Sequence, residues 1–273
     1  MINPGKQFRC GYIELPPASG DVQLHYRRSG TAGAPFLVLL HQTPSSSEMY
    51  LPLMRALADR FDLLAVDTPG FGLSDALPGP FTIPAAAQAI HAGVKALHEG
   101  PCFWFGHHTG AALALQIAHD QPQQVARLAM SGPCLLNAQQ RVRLPQLAAA
   151  IPSADDGSHL AALWARMRAK DAAAPAALIQ RELLAAAAAG ERYPQAYQAV
   201  VEVDAEAQLR ALGCPTLVFA GSEDPLYGQL EAAAACLADG RKAEIPGART
   251  FVCERNTAAV AKLLIDFFGE NHV

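Results

Sequence analysis

Cys102-Phe103-Trp104-Phe105-Gly106-His107-His108-Thr109-Gly110 is the stretch on which the fold turns. A short apolar run of strand character meets two glycines four residues apart, and Ala111-Ala112 then open a helical pattern that reaches His119. Glycines in this frame allow a sharp strand-to-helix turn with one side chain standing at its tip in a strained backbone conformation. The flanking positions must be small for the turn to close, and the two alanines let the following helix lie near the strand. His108 holds the tip. The plainer alternative is an ordinary glycine-flanked turn with a core histidine.

Outward from this turn, strands and helices alternate. Strands are expected at 8–15 and 22–29, joined by a turn at Pro16-Pro17 and Ser19-Gly20. Phe36-Leu37-Val38-Leu39-Leu40 and Leu63-Leu64-Ala65-Val66 are continuous apolar runs, the pattern of strands covered on both faces of a parallel sheet. Further strands are expected at 103–105, 126–130, 216–220 and 242–246, and helices near 46–59, 83–98, 111–119, 229–238 and 256–268. Residues 134–205 are Ala-rich, helical and strand-free. The alternation predicts a doubly wound, mostly parallel sheet. The strand-free stretch is expected to be a lid over the carboxyl edge, where open α/β sheets bind ligands, although a further layer of structure would explain it too.

Composition narrows the function. Of 273 residues, 51% are hydrophobic and 17% charged, as in a folded globule, and the formal net charge is −4. That balance argues against nucleic acid or an anionic membrane surface as partner. The first ten residues have no apolar core behind a basic start, and no apolar run is long enough to span a bilayer, so a cytoplasmic location is expected. The six cysteines have no C-x-x-C spacing and the nine histidines no metal-ligand pattern, so no metal is expected. With no dinucleotide fingerprint and no P-loop, no cofactor is expected either. Oligomeric state is not readable.

Four segments carry the chemistry. His41-Gln42-Thr43-Pro44 follows the third strand. Asp67-Thr68-Pro69-Gly70-Phe71-Gly72 follows the fourth, Gly106 to Gly110 the fifth, and Gly221-Ser222-Glu223-Asp224 the strand after the helical stretch. In this order the chain resembles the α/β-hydrolase superfamily over essentially its whole length, most closely the small capped branch of esterases, epoxide hydrolases, dehalogenases and C–C hydrolases. The resemblance implies an α/β-hydrolase fold, a mostly parallel eight-stranded sheet flanked by helices. The core would be 1–133 and 206–273, with 134–205 as the helical cap. It also implies a backbone oxyanion hole from Thr109 and Thr43 and an acid at Asp224, with Glu223 as a rival. Gln42 stands where the family usually has Gly, and either points into the pocket or braces the loop. His41 opens the same loop and is expected to brace it or line the ligand site.

Two positions depart from the family. His108 occupies the nucleophile position, and Thr250 stands where the family's catalytic His is expected, in Ile245-Pro246-Gly247-Ala248-Arg249-Thr250. A Ser–His–Asp triad is therefore absent. The expectation is a His108–Asp224 pair, formed directly, through water or through the Thr250 hydroxyl. His108 then has three open roles: general base, nucleophile, or lining for a bound ligand. The resemblance suggests an ester or C–C hydrolase acting on a small organic molecule. A cofactor-independent lyase and a non-catalytic ligand-binding protein are the alternatives. His107 is expected to be structural, and His159 is a minor candidate for a replacement base. Trp164, Tyr193 and Tyr197, with Leu144, Leu147 and Met167, are expected to form an apolar pocket.

Overall fold

Phe36, Val38 and Leu40 pack into one hydrophobic cluster, while Leu37 and Leu39 pack into a second on the opposite face. A strand this apolar is stable only between two covered faces, and its alternate side chains glue a helical layer to each. In the computed structural model, which describes residues 8–16 and 21–270, this strand sits near the middle of one sheet. Pro17, Ser19 and Gly20 of the expected first turn, and His272, lie outside the described residues.

The strands are β1 (Arg9–Glu14), β2 (Gln23–Gly30), β3 (Phe36–Leu40), β4 (Asp62–Val66), β5 (Cys102–His107), β6 (Val125–Ser131), β7 (Thr216–Gly221) and β8 (Gly240–Ile245). They form one eight-stranded sheet in the order β1-β2-β4-β3-β5-β6-β7-β8. β2 pairs antiparallel with β1 and with β4, and every other pairing is parallel. The expected α/β-hydrolase architecture, mostly parallel and flanked by helices, is thus present.

Helices α1 (Leu51–Leu57), α2 (Ile83–Leu97) and α3 (Thr109–Asp120) connect the first strands. Between β6 and β7 the chain leaves the sheet for α4 (Ala138–Leu147), α5 (Ser158–Lys170), α6 (Ala176–Ala189), α7 (Arg192–Glu202) and α8 (Ala205–Ala211). Helices α9 (Leu230–Ala235), α10 (Val252–Arg255) and α11 (Thr257–Phe268) finish the fold. Helix α3 is buried almost all round, as an apolar helix must be when it lies between a sheet and a further helical layer. No helix among the described residues is long and apolar enough to cross a membrane.

The helix expected at 46–59 divides into a 3-10 turn, Ser47–Tyr50, and α1. Pro52 explains the division, because proline suits the first turn of a helix and not its interior.

Asp67, at the carboxyl end of β4, anchors three segments at once. Its Oδ1 accepts the Ser47 N–H at 2.6 Å, and its Oδ2 accepts the Leu73 N–H at 2.9 Å and the His25 Nδ1–H at 2.8 Å. Burial opposes the charge, but the His25 bond, His41 and the two backbone donors more than offset it and hold the carboxyl at about 2. The folded value lies below the unfolded one, so this stabilisation is complete above about pH 4 and is lost as pH falls toward about 2. Asp67→Asn is expected to remove about 2 kcal/mol at neutral pH and to flatten the acid limb of stability. Thermal unfolding measured from neutral pH into that acid range checks both effects; an unchanged acid limb would refute the assignment.

Candidate active site

The turn after β5 takes the strained form expected of it. His108 has φ 49° and ψ −114°, the one non-glycine residue with positive φ among the described residues. Such a conformation costs roughly 1–3 kcal/mol and persists only where the surroundings over-determine it. Here they do. The His108 N–H donates to the Ser131 carbonyl at 2.9 Å, and the His108 carbonyl accepts the Ala111 and Ala112 N–H groups at 2.8 and 3.1 Å. The Cys134 thiol adds a further contact to that carbonyl at 3.3 Å, and burial pushes this thiol up to about 12, so it stays protonated.

From the tip, the imidazole reaches directly to the carboxylate that follows β7. His108 Nε2 lies 2.8 Å from Asp224 Oδ2, and the bond uses neither water nor Thr250. Asp224 is 7% exposed, and its Oδ1 accepts the Leu226 N–H at 2.8 Å. Burial opposes its charge, but the His108 ring and the Leu226 bond outweigh that and hold the carboxyl below its ordinary value. An ionised carboxylate only accepts, which assigns the Nε2 proton to the histidine. In the neutral ring the lone pair then belongs to Nδ1, which bonds to no protein group among the described residues. The ring lines a cavity of about 710 Å³.

His107 faces the other way. It is fully buried, and its Nε2–H donates to the Thr250 carbonyl at 2.7 Å. Burial, and then the neighbouring His108 ring, depress it to about 3, so it is neutral near pH 7. Thr250 thus meets the elbow through its backbone, while its side chain lines the cavity without bonding to His108 or Asp224. Glu223, the rival acid, is instead paired with Arg249 on the surface.

Thr43 and Thr109 both line the cavity, and neither backbone N–H donates to a protein group among the described residues. Free N–H groups are intrinsic to the first turn of a helix, which is where Thr109 stands. His41 is held on both sides: its Nδ1–H donates to the Gln42 carbonyl at 2.8 Å, and its Nε2 accepts the Thr68 N–H at 2.9 Å. Gln42 is 1% exposed, is absent from the cavity wall, and has no protein partner among the described residues for either side-chain polar atom. His159 accepts the Ala154 N–H and does not line the cavity. Tyr193, Tyr197, Leu144 and Leu147 do line it, whereas Met167 is buried in the core and Trp164 packs beside Arg168.

Sequence reasoning missed three residues here. Gly132, at φ +63°, lies against the ring: an added Cβ would fall 2.4 Å from His108 Cδ2. Lys170, from the end of α5, reaches the cavity with Nζ 3.5 Å from the Thr43 carbonyl. Arg166, one turn earlier, lines the same wall. Their signal was weak, since a glycine after a strand and charges on a helix have many uses. Among the described residues no group of three His, Cys, Asp or Glu is placed to hold a metal ion.

Gly132→Ala is expected to push the imidazole off Asp224 while the sheet stays intact. The Nε2 proton resonance of His108, downfield through its carboxylate partner, should be lost or shifted in the variant's NMR spectrum; an unaltered resonance would show that the ring is not held from this side.

The alpha/beta hydrolase fold family matches residues 35–252 of the chain. The chain is 44% identical over 54 residues to an uncharacterized hydrolase of Saccharomyces cerevisiae, spanning 20% of this chain and 19% of that protein. It is 32% identical over 106 residues to 2-(acetamidomethylene)succinate hydrolase of Mesorhizobium japonicum, spanning 39% of this chain and 37% of that protein. The chain therefore aligns with well under half the length of these curated relatives. Among solved structures, a hydrolase from Pseudomonas aeruginosa PA01 superposes with TM-score 0.79 at 24% identity, covering 98% of this chain and 100% of that one. With four-fifths of its length matched and the fold in agreement, the chain belongs to the alpha/beta hydrolase fold family.

Proposed function

We propose that this protein is a cofactor-independent hydrolase that cleaves a carbonyl-centred bond, an ester in the first instance, in a small organic substrate. The observation that carries this reading is the His108 ring itself, which lines the cavity with Nε2 tied to Asp224 and Nδ1 unpartnered among the described residues. The hydrolase names of the matched relatives support the reaction class by analogy. Helices α4–α7 act as the cap that completes the cavity over the carboxyl edge of the sheet.

In the proposed reaction Nδ1 takes a proton from water as its oxygen attacks the substrate carbonyl carbon. The resulting oxyanion is held by the Thr43 and Thr109 N–H groups, which do not depend on side-chain identity. Asp224 keeps the proton on Nε2 and stabilises the imidazolium. When the tetrahedral intermediate collapses, the Nδ1 proton passes to the departing alkoxide, and the acid and alcohol leave with the ring neutral again. An imidazole suits both steps because its class exchanges protons near neutral pH.

With a panel of p-nitrophenyl esters, His108→Ala is expected to lower turnover roughly 10²–10⁴-fold. Asp224→Asn should give a comparable loss by a distinct route. Its amide can donate to Nε2, which moves the ring proton to Nδ1 and removes the lone pair from the cavity. Equal turnover in wild type and His108→Ala would refute the catalytic role.

A further inference from the structure

The cavity wall carries a charge excess that the reaction at His108 does not use. Four cations line it: Arg143, Arg166, Lys170 and Arg249. Among the described residues Glu223 is the one carboxylate residue beside them, and it is consumed by its ion pair with Arg249. Arg143, Arg166 and Lys170 have no ion-pair partner among the described residues. This is notable in a chain whose net charge is −4.

The three cations are graded in depth. Arg143 is exposed at the rim, while Arg166 and Lys170 are half-buried. Arg166 and Lys170 stand four residues apart on α5, so they share one face, where like charges repel. Arg166 stacks over the Tyr193 ring at 5.8 Å. Burial works against the charge on Lys170, but the phenol oxygens of Tyr197 and Tyr193, and Glu182 behind them, more than offset it and keep the ammonium protonated. Glu182 does not itself close an ion pair with Lys170. Its Oε1 is taken by Arg181 and by the Ser45 hydroxyl at 2.7 Å.

Lys170 also fixes the place of the charge relative to the chemistry. Its Nζ is 3.5 Å from the carbonyl oxygen of Thr43, whose own N–H is proposed above to hold the oxyanion. Backbone bond lengths then put the ammonium within about 7 Å of that N–H. A negative group on Lys170 therefore lies only a few bonds from a carbonyl held at Thr43 and Thr109.

Resting on the reading of this cavity as the substrate site, we infer that the substrate is an organic acid. Its carboxylate is received by Lys170 and Arg166, a short linker away from the carbonyl that His108 addresses. Leu144, Leu147 and Leu226 offer the remaining wall to an apolar body. A carboxylate relieves the repulsion between Arg166 and Lys170, and Arg143 at the rim draws anions inward. A phosphorylated substrate is the rival anion.

The test uses levulinate, a carboxylate with a ketone two carbons away and no hydrolysable bond. Its neutral counterpart is 4-oxopentanamide, and its rival is 3-oxobutylphosphonate. In calorimetric titration of the wild-type protein, levulinate is expected to bind at least about tenfold tighter than the amide. Lys170→Met should abolish that preference, Lys170→Arg should keep most of it, and Arg166→Gln should reduce it, with circular dichroism confirming that each variant is folded. Equal affinity for acid and amide, unchanged preference in Lys170→Met, or no saturable binding of levulinate would overturn the inference. Tighter binding of the phosphonate than of levulinate would overturn the carboxylate assignment. Because levulinate cannot be hydrolysed, these outcomes are independent of whether His108 proves catalytic.

Discussion

The site depends on how closely the start of α3 approaches the sheet. A Cβ on Gly110 would lie 1.9 Å from the Leu40 carbonyl oxygen, and one on Gly106 would lie 2.1 Å from the Gly110 carbonyl oxygen. No side chain fits in either place, so both positions are glycine for steric reasons. The contact holds β5, the turn and α3 as one rigid unit, and the unit in turn forces His108 to positive φ. The sheet pays for that strain through the backbone bonds between β5, β3 and β6 on either side. A tip residue held this way cannot relax toward the core, so whatever side chain it carries is presented at the carboxyl edge.

Much of this was legible in the sequence because it follows from sterics and periodicity. The apolar runs at 36–40 and 63–66 mark central strands, and each is one with both faces covered. The Gly106/Gly110 frame marks the turn, and the superfamily resemblance, which places an acid after the strand at 216–220, implies Asp224 with Glu223 as its rival. Helix ends were less legible where proline redistributes the turns, as at Pro52. Side-chain pairings over long sequence separation were not legible at all. The anchoring of His25 on Asp67, 42 residues apart, and the Ser45–Glu182 bond, 137 apart, depend on how the strands are ordered in space. Lys170 was missed for the same reason: on α5 it reads as one more surface charge, and only the fold of α5 over the Thr43 loop brings it to the cavity.

Asp67 and Asp224 show how one residue type serves two ends at the carboxyl edge of one sheet, after β4 and after β7. Both are buried carboxylates beside a histidine, and both are held below their ordinary value. Asp67 spends its acceptor capacity on two backbone donors and His25, which sits against Tyr12. Both carboxylate oxygens there are matched, so the cluster fastens segments together. Asp224 accepts one backbone N–H and one imidazole, and that imidazole keeps a nitrogen free at an open cavity. The first network is closed within the protein, whereas the second is left incomplete on the cavity side.

The two positions that the sequence resemblance marks as departures, 108 and 250, line the same cavity. An imidazole is longer than a hydroxyl, and from position 108 it spans the gap to Asp224 without an intermediary. It fits there only because Gly132 has no side chain, since a Cβ at that position would meet the ring at 2.4 Å. A second histidine at position 250 would compete for the same carboxylate oxygen and bring a second ring to a space the first already fills. Threonine at 250 leaves that space to the His108 ring and still supplies the carbonyl that orients His107. Positions 108, 132 and 224 therefore constrain one another: Ser at 108 would leave Asp224 buried without its imidazole, and a side chain at 132 would meet the ring that reaches it.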